Sequence, residues 1–137
     1  MKLTEQVVNL ELSKKLKELG VKYESFFHWY VSDKSDYSFI LESKTVNYVV
    51  DSTDTYKVYS AFTASELLEL LPTSFLWISD NVESCENVYL EIQKYTNEYR
   101  IRYVDQWYDY EYIKDKNISN VLAKMLIYLI ENKLIEI

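Results

Sequence analysis

Residues 118–134 read ISNVLAKMLIYLIENKL, and the pattern of this stretch predicts a helix in the core. Its apolar residues recur at spacings of three and four, which is the period of one helix face. They are Ile118, Val121, Leu122, Met125, Leu126, Leu129, Ile130 and Leu134. A stripe this wide is typical of a helix at the centre of a core. The sequence therefore predicts a last helix over about residues 118–133.

A short middle helix is predicted by its start and stop signals. Thr63 and Glu66 have the spacing of a capping box, in which each side chain binds the backbone N–H of the other. Phe62 and Leu67 flank the box at the positions of a hydrophobic staple. Pro72 then ends the helix, since proline disfavours helical geometry in the residue before it.

The first helix shows the same period near the N-terminus. Its apolar stripe consists of Val8, Leu12, Leu16 and Leu19. Thr4 is the expected N-cap, because its hydroxyl can accept from a free backbone N–H. Gly20 follows the last apolar residue, where many helices require a left-handed residue. We expect the helix to end there.

Strands are predicted wherever aromatic and β-branched residues alternate with polar ones. The predicted strands are Tyr23–Val31, Tyr37–Glu42, Thr45–Val50, Tyr56–Tyr59, Phe75–Ile78, Val88–Tyr95, Tyr99–Val104 and Trp107–Tyr112. Residues 51–54 are expected to form a turn and residues 79–87 a loop. The sequence thus predicts one α+β domain over residues 1–137, with a mostly antiparallel sheet. The N-terminal, short middle and C-terminal helices are expected to pack on one face of this sheet.

Composition excludes several classes of function. The 137 residues carry a net charge of −7, which argues against direct binding of nucleic acid or an anionic membrane. A single glycine argues against a glycine-rich phosphate loop, and no cofactor is predicted. No apolar run reaches the roughly 18 residues of a membrane span, and the N-terminus lacks a signal-peptide pattern. We expect a cytoplasmic protein.

Catalytic and metal-binding motifs are missing from the sequence. The chain has one cysteine and one histidine, Cys85 and His28, too few for a zinc site of Cys and His ligands. Carboxylates flank Cys85 and disfavour a reactive thiolate. His28 lies between Phe27 and Trp29, which favours a packed or interface residue over a catalytic base. The sequence predicts a protein without enzymatic activity, and a small enzyme without a recognisable motif stays open as an alternative.

Three stretches resemble a family of small uncharacterised proteins encoded by phages and prophages of gut bacteria. They are LKELGV at 16–21, YSAFTASELLELLP at 59–72 and LAKMLIYLIENKL at 122–134. The resemblance rests on helix caps and core residues and carries no catalytic signature. It implies a mobile-element origin and a bacterial cytoplasm, and it transfers no functional residue.

Aromatic and acidic residues are the most unusual feature of the sequence. There are 14 tyrosines and three tryptophans, and most of the carboxylates fall between residues 35 and 115. Tyrosine and tryptophan are frequent at interface hot spots. They are also good strand formers, and acidic surfaces maintain solubility. One small core cannot hold all these phenol rings, so we expect some of them to form a binding face.

The predicted binding face combines the first strand with the segment DQWYDYEY at 105–112. Its residues are Trp29, Tyr30, Trp107, Tyr108, Asp109, Tyr110, Glu111 and Tyr112. The prediction is a phage- or prophage-type accessory protein that binds another protein through this acidic, aromatic face. An alternative is an acidic mimic of nucleic acid that inhibits a host nuclease or defence system. A host protein with a basic groove would then be the partner. The oligomeric state is left open.

Overall fold

The computed structural model describes residues 1–35, 37–42, 55–77, 86–104 and 112–137. Several predictions lie outside these residues. They are the strand at 45–50, the turn at 51–54, most of the loop at 79–87, Cys85 and the site residues Trp107–Glu111. The remaining elements can be compared with the sequence directly.

Three helices occur in the described residues, in the predicted order. They are α1 (Leu10–Glu18), α2 (Ala64–Leu70) and α3 (Ile118–Glu131), and a 3-10 turn at Leu3–Glu5 precedes them. The capping box of α2 is confirmed, with Thr63 N donating to Glu66 Oε2 at 2.7 Å and Glu66 N donating to Thr63 Oγ1 at 3.4 Å. Gly20 is confirmed as the left-handed residue after α1, with φ of 86°.

The predicted N-cap of the first helix is wrong. Asn9 caps α1, since its side chain accepts from Leu12 N at 2.9 Å, while Thr4 lies in the preceding 3-10 turn. Val7 instead forms a β-bridge with Thr63, and Val8 N donates to Phe62 O at 2.8 Å. Val7 and Val8 are therefore extended against the start of α2 and do not belong to α1.

The first sheet has three antiparallel strands in the order β2-β1-β3. Its strands are β1 (Phe27–Ser32), β2 (Ser38–Glu42) and β3 (Tyr56–Ser60). Trp29 lies opposite Ile40 in β2 and Tyr59 in β3. The sequence placed the start of β1 at Tyr23, four residues too early. Ser25 is buried and donates to the carboxylate of Glu66, which holds this part of the chain outside the sheet.

The second sheet has four antiparallel strands in the order β4-β5-β6-β7. They are β4 (Ser74–Trp77), β5 (Glu86–Lys94), β6 (Tyr99–Val104) and β7 (Ile113–Asp115). The predicted hairpin is confirmed, and its turn is closed by Tyr95 N donating to Glu98 O at 2.8 Å. Strand β5 begins at Glu86, so the last two residues of the predicted loop belong to the sheet.

Helix α3 lies at the centre of the core, as its apolar stripe predicts. Val121, Leu122, Leu126 and Leu129 have no exposed surface. The helix contacts α1, α2, β6 and β7. The α+β class and the three helices are confirmed, and the described strands form two antiparallel sheets where one was predicted. Among the described residues, no helix has the length and apolar character to cross a membrane.

Candidate functional site

The candidate site is the outer face of the four-stranded sheet. Side chains alternate along β5 and β6, so Ile101 and Tyr103 are buried in the core while their neighbours are directed to the opposite side. The cross-strand register therefore groups the outward residues of the sheet and its hairpin turn. We define the outer face as Tyr89, Glu91, Gln93, Tyr95, Glu98, Arg100, Arg102, Tyr112 and Lys114.

One cluster on the outer face centres on Arg102. This residue lies opposite Glu91 in the register, and its Nε donates to Glu91 Oε2 at 2.6 Å. The hydroxyl of Tyr112 donates to the same oxygen at 3.3 Å, and its ring centroid lies 4.3 Å from the guanidinium carbon. The hydrogen bond from Arg102 lowers the pKa of the Glu91 carboxyl, which is therefore ionised at neutral pH.

A second cluster centres on Arg100. Its Nε and Nη2 contact Oε1 of Glu98 at 2.6 Å and 2.5 Å. The ring of Tyr95 lies 4.1 Å from the guanidinium carbon, and its hydroxyl donates to Gln93 Oε1 at 2.9 Å. The guanidinium also lies 5.9 Å from the ring of Tyr112, so the two clusters are neighbours.

Each arginine is thus held by a carboxylate and by an aromatic ring. A planar guanidinium favours this combination, because it can pair with an oxygen in its plane and stack on a ring with its face. Side chains fixed in this way lose little conformational freedom when a partner binds. The outer face also presents two tyrosines to solvent, Tyr89 at 56% exposure and Tyr95 at 45%. This arrangement suits recognition of another molecule.

The described outer face is mixed in charge. Glu91 and Glu98 stand beside Arg100, Arg102 and the exposed Lys114. The sequence predicted an acidic face from the carboxylates between residues 35 and 115. On the described outer face, the cross-strand register brings the arginines of β6 beside the carboxylates. The acidic segment at 105–111 lies outside the described residues, so the acidity of the predicted face stays a prediction.

The two predicted site residues of the first strand lie in the other sheet. Tyr30 is only 3% exposed, and its ring stacks on Phe39 at 5.4 Å between centroids. It packs within the three-stranded sheet and presents little surface to a partner, and its part in a binding face stays a prediction. Trp29 is partly buried, and its Nε1 donates to Val8 O at 2.8 Å, which ties β1 to the segment before α1.

Tyr112 is the predicted site residue that belongs to the outer face. Trp107, Tyr108, Asp109, Tyr110 and Glu111 lie outside the described residues, and their role stays a prediction. His28 is partly buried in β1, and burial lowers the pKa of its imidazole. It is therefore neutral at neutral pH. The described positions divide the predicted face between two sheets.

Sequence reasoning missed Arg100, Arg102, Tyr89 and Tyr95. A signal for them was present, because the hairpin of Val88–Tyr95 and Tyr99–Val104 was predicted with its turn. Antiparallel pairing across that turn places Glu91 opposite Arg102. Opposite charges at directly paired positions are a common stabilising pattern in sheets. The register of the hairpin was the missing step.

Within the described ranges, no group of three or more His, Cys, Asp or Glu side chains could hold a metal ion. Comparisons with family models, curated proteins and solved structures find no match for this chain. The resemblance to phage and prophage proteins therefore stays a prediction.

Proposed function

We propose that the chain is a non-enzymatic binding protein that contacts a protein partner through the outer face of its four-stranded sheet. The observation that carries this proposal is the pair of arginines, each fixed between a carboxylate and a tyrosine ring. Tyrosine and arginine are among the residues most enriched at interface hot spots. A phage or prophage origin and a cytoplasmic location agree with the sequence resemblance and remain part of the proposal.

The partner surface is inferred from what the outer face offers. Exposed tyrosine rings contribute large apolar area, and their hydroxyls form hydrogen bonds at the edge of a contact. The carboxylates and guanidiniums of the two clusters already neutralise one another. The complementary surface is therefore an apolar protein patch with hydrogen-bonding groups around it and with little net charge.

Nucleic-acid mimicry makes a different prediction about the partner. A mimic presents rows of carboxylates to a basic groove, and its binding weakens steeply as salt increases. The net charge of −7 agrees with mimicry, but the described outer face has carboxylates and cations side by side. The salt dependence of partner binding therefore distinguishes the two functions.

The proposal is tested by capturing partners from a bacterial lysate and measuring the affinity of each purified candidate. Tyr95→Ser removes a 45% exposed ring from the outer face, and Tyr128→Ser removes a 41% exposed ring from α3 as the matched control. We expect Tyr95→Ser to raise the Kd about tenfold or more, and Tyr128→Ser to leave it unchanged.

Two outcomes contradict the proposal. Equal Kd values for wild type and Tyr95→Ser would remove the outer face from the interface. A partner with a basic groove, bound equally by both proteins and released by moderate salt, would establish mimicry instead.

A further inference from the structure

A cleft separate from the outer face lies beside the first sheet. It has a volume of about 540 Å³ and lies between the C-terminal half of α1, the segment 20–24 and strands β1 and β3. Its walls include the apolar side chains of Val21, Val58 and Phe62. A volume between about 300 and 1,000 Å³ with a largely apolar lining is typical of small-molecule sites. We call this region the α1–β3 cleft.

Two ammonium groups make the α1–β3 cleft rich in hydrogen-bond donors. Lys17 and Lys22 contribute two ammonium groups. Tyr23, a residue that is 60% exposed, contributes a phenol. Among the described residues, Glu24 is the one carboxylate of the lining. Lys17 Nζ donates to Val58 O at 3.0 Å, and an ammonium group has three N–H donors, so further donors remain. The lining therefore suits an acceptor-rich ligand.

Ser13 lies at the buried side of this cleft. The residue is 2% exposed, and its Oγ is a buried side-chain atom for which the described residues supply no hydrogen-bond partner. Buried hydroxyls are nearly always paired in folded proteins, so an exception requires an explanation. A ligand acceptor reached by rotation of the Ser13 side chain would provide the pairing.

The C-terminal end of α1 does not oppose an anion here. Gly20 N donates to Lys17 O and Val21 N donates to Leu16 O, each at 3.1 Å. These two bonds complete a Schellman motif, which satisfies the carbonyl groups of Leu16 and Lys17. Lysines in the last turn offset the negative end of the helix dipole as well.

We propose that the α1–β3 cleft binds a small organic anion, namely a carboxylate attached to an apolar body. The carboxylate of the ligand lies near the ammonium groups of Lys17 and Lys22. These two cations outnumber Glu24, the one carboxylate among the described lining residues. The apolar body contacts Val21, Val58 and Phe62. The imidazole of His28 is neutral, so it adds a polar group to the cleft without adding charge.

Benzoate is the test ligand, because it combines a carboxylate with one apolar ring. Benzamidine has the same ring with a positive charge, and acetate has the carboxylate without the ring. Titration of the isotope-labelled chain by NMR follows the backbone amides of Ser13, Lys17, Val21, Tyr23 and Ser60. We expect saturable benzoate shifts at these amides, with weaker binding of both acetate and benzamidine at equal ionic strength.

Two variants locate the site. Lys22→Glu reverses one charge of the cleft, and Lys114→Glu makes the same change at an exposed lysine of the other sheet. We expect Lys22→Glu to raise the benzoate Kd about fivefold and Lys114→Glu to leave it unchanged. Ser13→Ala should also raise the Kd without lowering the Tm, since the hydroxyl has no described partner in the free protein.

The proposal is overturned by any of three results. Benzoate and benzamidine could bind equally, which would exclude recognition of the charge. Shifts could appear outside the cleft, or not at all at millimolar benzoate. Unchanged benzoate affinity in both Lys22→Glu and Ser13→Ala would remove the cleft residues from binding.

Discussion

The two sheets of this protein are stabilised in different ways. Strands β5 and β6 contribute Val88, Ile101 and Tyr103 to the buried core around α3. Among the described residues, none from β1, β2 or β3 belongs to that core cluster. The three-stranded sheet has aromatic packing of its own. The ring centroid of Phe39 lies 5.4 Å from that of Tyr30 and 5.5 Å from that of Tyr56.

Specific polar contacts attach the three-stranded sheet and the residue before it to α1, to α2 and to the segment before α1. Glu66 of α2 accepts from Phe26 N at 2.8 Å, Lys17 of α1 donates to Val58 O, and Trp29 donates to Val8 O. Apolar burial scales with area and tolerates small shifts, whereas hydrogen bonds require exact partners. Single polar substitutions should therefore affect the three-stranded sheet selectively.

The largest expected effect is in the core of the four-stranded sheet. Leu126 is completely buried in α3, so Leu126→Ala leaves a cavity at the centre of the molecule. We expect the free energy of unfolding to fall by about 2–5 kcal/mol in a urea titration. A loss below about 1 kcal/mol would show that α3 does not organise the core, and the contrast between the sheets would then disappear.

Glu66 is the strongest polar link to the three-stranded sheet. Its Oε2 accepts from Thr63 N and Ser25 Oγ, while its Oε1 accepts from Phe26 N. Glu66→Gln replaces one of these oxygens with an amide NH2 group, which donates and cannot accept. We expect a loss of about 2 kcal/mol and faster hydrogen exchange in β1 than in β6. Glu69→Gln, at an exposed position of the same helix, is the control.

Glu66 should also make the stability of the protein depend on pH. Partial burial opposes ionisation of Glu66, but hydrogen bonds from Thr63, Phe26 and Ser25 outweigh it and lower the pKa of this carboxyl below 4.5. A lowered pKa contributes stability above pH 4.5 that is lost as the pH falls through the folded-state value. The difference in stability between wild type and Glu66→Gln should therefore shrink in acid. A constant difference down to pH 3 would contradict this.

Local patterns explain which elements could be predicted from the sequence. The stripe of α3, the capping box at Thr63 and the left-handed Gly20 each depend on residues close in the chain. The start of β1 and the N-cap of α1 depend on distant partners instead. Ser25 is held by Glu66, and Val8 is held by Phe62. Such contacts have no periodicity by which a sequence could reveal them.

The candidate site was only partly predictable for the same reason. Tyr112 was expected at a binding face and lies on the outer face, whereas Tyr30 was expected there and is buried. Alternation correctly separates Trp29 from Tyr30, but it does not tell which side of a strand will be covered. The pairing of Glu91 with Arg102 needed the hairpin register, which alternation does not determine.

A smaller effect is expected at the N-terminus of α2. Thr63→Ala removes the hydroxyl that accepts from Glu66 N and donates to Glu66 Oε2. Loss of an N-cap residue costs about 1 kcal/mol in proteins. Glu66 keeps its hydrogen bonds from Phe26 and Ser25 in this variant. A thermal melt should therefore show a smaller loss of stability for Thr63→Ala than for Glu66→Gln. The reverse order would mean that the cap, and not the link to β1, is the main role of Glu66.

The smallest effect on stability is expected on the outer face, and it separates stability from binding. Glu91→Gln removes the charge that pairs with Arg102, whose side chain is 15% exposed while that of Glu91 is 34% exposed. Partly exposed ion pairs contribute about 0–1 kcal/mol, so the urea midpoint should hardly change. The guanidinium of Arg102 then loses the charged hydrogen bond to Glu91 beside the ring of Tyr112 and is held less firmly in its orientation. If the outer face binds a protein, the Kd should rise although the fold is intact, because the arginine must then be ordered upon binding. A large loss of stability would assign the cluster a structural role and remove the distinction between the core of this sheet and its outer face.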